Sequence, residues 1–167
     1  MPAQLPRVLH DMNLHVDGFG FAGRVTQIQL PTLAALTEEH HAGGMDNALD
    51  MEIGMQKPEL SVTIRDMDPM LRRQLLSDRL RVVVRGAARA QGQAFEGVKI
   101  TTFGLWKTMD SRTWERGSLN TETFTCQPLR YIEEQQGEEL VHIDTLAHIR
   151  RIGGIDQLAE ERGILGL

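Results

Sequence analysis

Apolar and polar residues alternate in short runs along most of the chain, and this period of two predicts strands. In ELSVTIRDM, Leu60, Val62 and Ile64 alternate with polar residues, a pattern typical of a strand with one face in water. Two longer runs, KITTFGLWKTM and SLNTETFTCQPLRYIEE, predict two long strands joined by DSRTWERG. Strands therefore make up most of the predicted structure.

Turn dipeptides separate these runs and predict hairpins. Asp-Gly at 17–18, within LHVDGFGFAGRVTQIQLP, suits a tight turn between two extended segments. The strand that follows, 25–30, ends at Pro31, because proline cannot donate a hydrogen bond to a ladder. Gln-Gly at 136–137, within QQGEELVHID, predicts the turn of another hairpin.

One short amphipathic helix is predicted after Asp68-Pro69, with Asp as N-cap and Pro at the first helical position. Its apolar side holds Met70, Leu71, Leu75 and Leu76. The helix is expected to end near Ser77.

The C-terminal segment predicts two helical turns. The apolar positions of the first are spaced three apart: Leu146, Ile149 and Ile152. Gly153-Gly154 ends this turn, and Asp156 is expected to cap a second turn that Gly163 terminates.

The order of elements predicts a mainly β protein. About six strands surround one short helix with no βαβ rhythm, which indicates antiparallel packing in a two-sheet β-barrel or sandwich with one short flanking helix. No internal repeat or linker divides the chain, so residues 1–167 are expected to form one domain.

Residues 32–57 show no stable period, and the sequence predicts a long irregular loop here. Loops beyond about 12 to 15 residues are uncommon in compact domains and usually carry function. Within the loop, EEHHAGGMD at 38–46 combines metal-binding residue types with a Gly-Gly pair. Its interpretation decides whether the loop is a chemical site or a bend.

A metal site is the first interpretation of this stretch. Adjacent His40 and His41 point in different directions from almost any backbone, so one ion rarely binds both. Met45, Met51 and Met55 are soft ligands suited to copper, but loop methionines more often serve as adaptable contact surfaces. A bend at Gly43-Gly44 is therefore preferred, and no metal or other cofactor is predicted.

Composition narrows the function. The net charge of -5 and the lack of a basic cluster argue against a nucleic-acid-binding surface. The single cysteine, Cys126, rules out an intramolecular disulfide and a Cys-based zinc site. No catalytic motif is present, so the chain is not predicted to be an enzyme. Aromatic residues make up only 5%, which hints that burial is completed by other subunits.

The N-terminus has no apolar segment followed by a cleavage site, and no run approaches the ~20 apolar residues of a membrane span. A protein made in the cytosol of its host, without membrane insertion, is expected.

Several short motifs in order resemble the major tail tube protein of contractile-tailed bacteriophages and R-type pyocins. The chain opens with N-L-x-x-D-G at 13–18, followed by L-P-x-L at 30–33 and G-G-M-D at 43–46. It ends with Ile143-Asp144, G-x-D-x-L at 154–158 and Leu165-Gly166-Leu167. Their order and spacing, rather than any single motif, carry the resemblance.

The resemblance implies a two-sheet barrel assembled as hexameric rings whose inner strands form one continuous lumen. Stacked rings would form a hollow tube in the virion tail, with a tail sheath protein, a tape measure protein, a baseplate and a tail terminator as partners. DNA would be present only in transit through the lumen. A pyocin-like device or a type VI secretion tube is the alternative within the same family.

The resemblance also assigns residues to assembly. It implies that residues 38–56 contact neighbouring subunits and rings, with Gly43 and Gly44 as pivot and Met45, Asp46, Met51 and Met55 nearby. Exposed apolar groups at the C-terminus, Ile164, Leu165 and Leu167, are expected to form a second interface. If part of the acidic charge, about -30 for six copies, faced inward, the lumen would repel DNA.

A ligand-binding module is the competing interpretation. A small β-barrel could hold an apolar ligand near Trp106, or copper at His40 and Met45. Such a protein would be a monomer with a saturable ligand.

Overall fold

The computed structural model describes residues 5–111 and 114–167. These contain twelve strands and two short helices, where the sequence predicted about six strands. The strands are β1 Val8–Val16, β2 Phe19–Gly20, β3 Val25–Gln29, β4 Ala35–His40, β5 Leu49–Met55, β6 Leu60–Ile64, β7 Leu80–Arg89, β8 Glu96–Ser111, β9 Glu122–Gln135, β10 Glu138–Asp144, β11 Ile149–Ile152 and β12 Ile155–Asp156. The helices are α1 Pro69–Arg73 and α2 Ala159–Leu165.

Ten strands form one antiparallel sheet that branches at β9. The second half of β9 pairs with β10, whereas its first half pairs with β6. One branch runs β12-β11-β10-β9-β8-β7-β1-β2 and is called the eight-stranded lobe. The other consists of β3, β6, the first half of β9 and the last part of β8, and is called the four-stranded lobe.

The two lobes pack their apolar faces against each other. Leu14 and Val82 of the eight-stranded lobe belong to the same buried cluster as Val62 and Phe124 of the four-stranded lobe. Trp106 is 2% exposed and packs edge-to-face on Phe124, with ring centroids 4.9 Å apart. The predicted mainly β, two-sheet antiparallel architecture is therefore confirmed.

Two predicted hairpin turns are also confirmed. Asp17 and Gly18 have φ of 49° and 89°, and Gln136 and Gly137 have φ of 52° and 86°. Two consecutive positive φ angles match the right-handed twist of the flanking strands, and glycine at the second position adopts them without strain.

Helix α1 begins where it was predicted but ends earlier. The Asp68 carboxylate accepts a hydrogen bond from the Met70 N–H at 2.8 Å, and Leu71 is buried. The helix ends at Arg73 rather than near Ser77, and Leu76 has a φ of 65° and is 70% exposed. The reason is that the Leu76 N–H donates to the Trp106 carbonyl, which draws the chain out of the helix towards β8.

The first predicted C-terminal helical turn is wrong. Ile149 and Ile152 lie in strand β11, which pairs with β10. The Asp144 carboxylate accepts hydrogen bonds from the N–H groups of Leu146 and Ala147 and holds a tight turn there. The local side-chain bonds of Asp144 therefore outweigh the apparent helical spacing.

The second C-terminal helix exists, but with other ends. Helix α2 spans Ala159–Leu165, runs through Gly163 and ends at Gly166, whose φ is 71°. Asp156 is not its N-cap: its carboxylate bonds the Leu158 N–H and the Arg162 guanidinium instead. None of the helices in the described ranges is long and apolar enough to cross a membrane.

The long irregular loop predicted at 32–57 is wrong as well. Half of its residues form β4 and β5, a two-stranded ribbon separate from the main sheet. A register shift between Leu36 and Thr37, together with charged residues on the same face as apolar ones, hides the period of two in the sequence.

Candidate assembly surfaces

The β4–β5 hairpin is amphipathic, and its apolar face is open to solvent. Because opposite residues of an antiparallel pair share a face, Met51 lies beside Glu38, and Leu49 beside His40. Leu36 and Ile53 continue this face by alternation. Four large apolar side chains on it, Leu36, Leu49, Met51 and Ile53, are 43 to 58% exposed. The opposite face is acidic and carries Glu39, Asp50 and Glu52.

The residues predicted as the pivot form the tip of this hairpin. Gly43 and Gly44 occupy a turn, and Gly44 has a φ of 91°. The Met45 N–H donates to the Ala42 carbonyl at 3.1 Å and closes the turn, with Asp46 exposed beside it. The structure therefore has a bend at this stretch, as the sequence analysis preferred.

The histidines of the tip make local contacts. His41 Nε2 lies 3.1 Å from the Met45 carbonyl oxygen, whereas His40 ends β4. Across residues 5–111 and 114–167, no three His, Cys, Asp or Glu side chains come together as a metal site would require. The geometry gives no support to the copper interpretation.

The base of the hairpin is attached to the C-terminal part of the eight-stranded lobe. Arg150 Nη1 on β11 lies 2.5 Å from Glu52 Oε1 on β5. Met55 packs against the buried core, so it anchors the hairpin and is not part of its open face. Between the hairpin and this lobe lies a groove of about 510 Å³, lined by Met55, Pro58, Pro128, Ile143 and Leu158 among others.

The C-terminal helix forms a second exposed apolar surface. Helix α2 has no buried residue, and Ile164, Leu165 and Leu167 are 79%, 58% and 74% exposed. Arg162 secures the helix by an ion pair with Asp156 at 2.8 Å, and by a hydrogen bond to the His148 carbonyl at 2.9 Å. The apolar groups are therefore held outward by a fixed helix.

The four-stranded lobe ends in two strand edges with free backbone groups. Within the described part of the chain, β3 pairs only with β6, and residues 108–111 of β8 pair only with β9. The β3 edge is five residues long, and the β8 edge is four residues long. Exposed strand edges pair readily with another chain, which makes these two edges candidates for contact between copies.

The outward face of the four-stranded lobe is lined by hydroxyl and amide groups. Two rows cross it: Gln27–Thr63–Thr123–Asp110 and Gln29–Ser61–Thr125–Thr108. We call these eight residues the hydroxyl face. Seven of them are uncharged, and Thr63 Oγ1 lies 3.2 Å from Thr123 Oγ1.

The eight-stranded lobe carries paired charges instead. Arg130 Nε lies 2.6 Å from Asp144 Oδ2, and Lys99 Nζ lies 2.5 Å from Glu134 Oε2. Burial alone would raise the pKa of Asp144, but the Ala147 N–H and the Arg130 guanidinium outweigh it and lower that pKa.

Trp106, the residue near which an apolar ligand was expected, is part of the core. Trp106 is buried against Phe124, and Cys126 lies beside it in the same cluster. Burial, together with the nearby Glu59 carboxylate, raises the pKa of the Cys126 thiol to about 12, so the thiol is unreactive at neutral pH.

The total accessible surface is larger than that of a compact monomer. It is 11324 Å², whereas a compact monomer of 18.8 kDa is expected to expose about 8,300 Å².

Comparison with known proteins identifies the family. The sequence model described as phage tail tube protein FII matches residues 6–166. The chain belongs to this family of phage tail tube proteins. The tail tube protein of Escherichia phage P2 is 25% identical over 171 aligned positions, which cover 98% of this chain and 99% of the P2 protein.

Solved structures share the fold of this tail tube protein. The sheath-tube complex of an extracellular contractile injection system, PVC, in its extended state contains a chain that matches with a TM-score of 0.60 and 11% identity, over 77% of this chain and 91% of that one. Hcp1 from Flavobacterium johnsoniae matches with a TM-score of 0.51 and 16% identity, over 79% and 98%. The family is structural, so the prediction that this tail tube protein is not an enzyme is confirmed.

The role of the hairpin tip and of the C-terminus in assembly stays a prediction, and three surface features were not predicted from the sequence. These are the apolar hairpin face with Leu36, Leu49 and Ile53, the two free edges, and the hydroxyl face. The alternation of Ser61 and Thr63 in β6, and of Thr123 and Thr125 in β9, was visible in the sequence. Only the register places these residues in common rows.

Proposed function

We propose that this tail tube protein is the repeating subunit of hexameric rings that stack into the hollow inner tube of a contractile injection system. The family membership supports a tube, and the two free edges of the four-stranded lobe support ring closure. These edges are the single observation that carries the proposal.

Pairing of β8 from one copy with β3 of the next copy continues the sheet without interruption. The lobe has four strands, an even number, so its two edge strands run antiparallel to each other. A head-to-tail contact therefore places β8 antiparallel to the neighbouring β3, as within the subunit. Repeating this contact with a closing rotation makes a ring and leaves no unpaired edge.

The inside of such a ring is the hydroxyl face. The opposite side of the same four strands carries Leu60, Val62 and Phe124, which are buried against the eight-stranded lobe. The eight-stranded lobe must then lie outside, and the hydroxyl face lines the channel.

Stacking uses the surfaces that remain apolar. The open face of the hairpin, with Leu49, Met51 and Ile53, and the C-terminal residues Ile164 and Leu167 supply exposed apolar groups to neighbouring copies. The tip at Gly43 to Asp46 sets the direction in which the hairpin reaches the next ring.

The other expected partners belong to the same machine. Sheath, terminator and baseplate are components in the solved assemblies whose chains share this fold. We infer that this subunit meets equivalent partners and a tape measure protein in a virion tail, and that DNA passes through the lumen. A pyocin-like or secretion device would use the same tube without a genome.

Disulfide trapping tests ring closure. In the double variant Gln27→Cys/Asp110→Cys, the two positions of one subunit are three strand spacings apart, about 14 Å, too far for a disulfide within the subunit. Oxidation of assembled protein should give a ladder ending at six copies on a non-reducing gel. Cys126 is buried and does not compete.

The strand register between copies is tested by a second pair, Gln27→Cys/Thr108→Cys.

Negative-stain electron microscopy of the unmodified protein should show rings or tubes with a central hole. Failure of both cysteine pairs to cross-link in visible tubes would contradict the edge contact, and a saturable small ligand on a monomer would favour the competing module.

A further inference from the structure

The hydroxyl face carries almost no charge, although one quarter of the chain is charged. Of its eight residues only Asp110 is acidic, and no lysine or arginine lies in either row. Charged side chains lie beyond the two rows along the strands: Arg65 follows the last residue of β6, and Lys107 pairs with Glu59 at 3.4 Å at the opposite end. This distribution differs from the acidic lumen expected from the net charge.

The acidic balance of the chain is located elsewhere. Glu39, Asp50 and Glu52 lie on the hairpin, and acids of the eight-stranded lobe are paired with bases, as in Arg151–Glu139 at 2.9 Å. Net charge therefore says little about the channel wall.

We propose that the hydroxyl face is a neutral channel wall that lets a nucleic-acid backbone pass without binding it and without repelling it strongly. The inference rests on the proposed function, because the face becomes a wall only in a ring. It identifies the residue chemistry that determines which polymers can move through the tube.

Charge governs how strongly a wall holds a polyanion. A protein binds phosphates by releasing counterions with Lys and Arg, and its affinity then falls steeply with salt. The two rows hold no Lys or Arg, so the hydroxyl face offers no such contacts. A wall rich in carboxylates would impose an energetic barrier to the entry of DNA. In the hydroxyl face each subunit contributes only one carboxylate, that of Asp110.

Thr and Ser hydroxyls suit a sliding contact. Each hydroxyl can donate or accept a hydrogen bond and can rotate to exchange partners. Water molecules and phosphate oxygens can therefore replace one another along the row. Hydroxyl contacts to phosphate carry no base sequence information, so such a wall would treat all sequences alike.

A single substitution on the wall tests the proposal. Tubes of Thr125→Lys and of the unmodified protein are mixed with a fluorescein-labelled single-stranded oligothymidine, and the DNA that sediments with tubes is measured between about 50 and 200 mM salt. Thr145→Lys is the matched control, since Thr145 lies in the exposed turn between β10 and β11, away from the hydroxyl face.

The expected result is retention by Thr125→Lys alone. Its tubes should hold DNA at low salt and protect it from a nuclease too large to enter the channel. The amount of DNA that sediments with them should fall at least about tenfold at high salt. The unmodified and Thr145→Lys tubes should protect none.

The outcomes separate this inference from the proposed function. Salt-sensitive, nuclease-protected DNA in unmodified tubes would overturn the neutral wall, and equal protection in Thr125→Lys and Thr145→Lys tubes would overturn the location of the wall. Absence of tubes from the unmodified protein would instead count against the proposed function.

Discussion

Arg150 on β11 and Glu52 on β5 form an ion pair of 2.5 Å that connects the hairpin to the eight-stranded lobe. The Arg150 side chain is 15% exposed, whereas that of Glu52 is 49% exposed. The pair joins two parts of the molecule that the main sheet does not connect, since β4 and β5 form a sheet of their own. It therefore fixes the base of the hairpin against the eight-stranded lobe.

Removing this ion pair should weaken assembly while leaving folding nearly unchanged. For Glu52→Gln we expect a loss of less than about 1 kcal/mol in the free energy of unfolding, because a half-exposed pair contributes little. The critical concentration for tube formation, measured by sedimentation, should rise several-fold. Asp50→Asn removes the same charge from the same face without touching the pair, so equal effects of the two variants would contradict this role.

The two glycines at the hairpin tip should differ in their tolerance of a side chain. Both glycines have open space around the Cβ position, but only Gly44 has a positive φ. Valine with such a φ costs about 1–2 kcal/mol of strain. Gly44→Val should distort the tip and reduce tube formation in sedimentation assays, and Gly43→Val should reduce it much less. Tubes of normal yield and length from Gly44→Val would show that the bend is not required.

Gly104 should be the glycine that folding requires most. A Cβ at this position would lie 2.0 Å from the Gln127 carbonyl oxygen, across the β8–β9 ladder. Gly104→Ala should lower the free energy of unfolding by about 3 kcal/mol or more, because backbone cannot move aside as a side chain can. Chemical denaturation of the unassembled subunit measures this.

Gly97→Ala provides the control for Gly104, since Gly97 lies on the same strand with nothing within 4 Å of the added carbon. The free energy of unfolding of Gly97→Ala should stay within about 1 kcal/mol of the original. A Gly104→Ala variant as stable as Gly97→Ala would mean that the two strands separate here at no cost.

The C-terminal apolar groups should matter for assembly and not for folding. The triple variant Ile164→Ser, Leu165→Ser, Leu167→Ser changes only exposed side chains, so the melting temperature of the subunit should remain the same. The critical concentration should rise at least about tenfold, which corresponds to about 1.4 kcal/mol of lost contact. Leu146→Ser, an equally exposed change outside the helix, should leave the critical concentration unaltered.

Asp144 should give the subunit part of its acid sensitivity. Its pKa lies below the ordinary 3.8 in the folded state, so its ionised form contributes stability that is present above about pH 4 and is lost as the pH falls towards the folded-state pKa. Asp144→Asn should cost about 1–3 kcal/mol at neutral pH. The variant should then lose stability less steeply than the original protein between pH 5 and pH 3, and parallel curves in both proteins would assign the acid sensitivity to other carboxylates.

Much of the fold could be predicted from the sequence because a period of two runs through core strands such as β6 and β9. The Leu60–Ile64 strand, the turn at 17–18 and the capped start of α1 each follow from a local rule that tertiary packing does not oppose. The hairpin could not be predicted in the same way. Its apolar face is not buried within the subunit, so Glu38 and His40 can share that face with Leu49 and Met51.

The candidate surfaces show a similar division. The family motifs located the tip at Gly43 to Asp46, because a turn has a sequence signal. The hydroxyl face has no sequence signal beyond alternation, since its rows depend on pairing between residues as distant in sequence as Thr63 and Thr123. The turn at Leu146 was wrongly predicted as helical for a related reason. The Asp144 carboxylate fixes this turn by hydrogen bonds, and the spacing of apolar residues gives no sign of them.

Strand β9 belongs to both lobes, because its first half pairs with β6 and its second half with β10. A single unbroken backbone thus runs from the proposed channel wall into the outer layer of the subunit. Sliding of the wall relative to the outer layer would have to break ladder hydrogen bonds on both sides of this strand at once, so no soft joint exists between them. If the subunit forms the proposed rings inside a contracting sheath, each copy would transmit axial force as one stiff body, and bending of the tube would be confined to the contacts between rings.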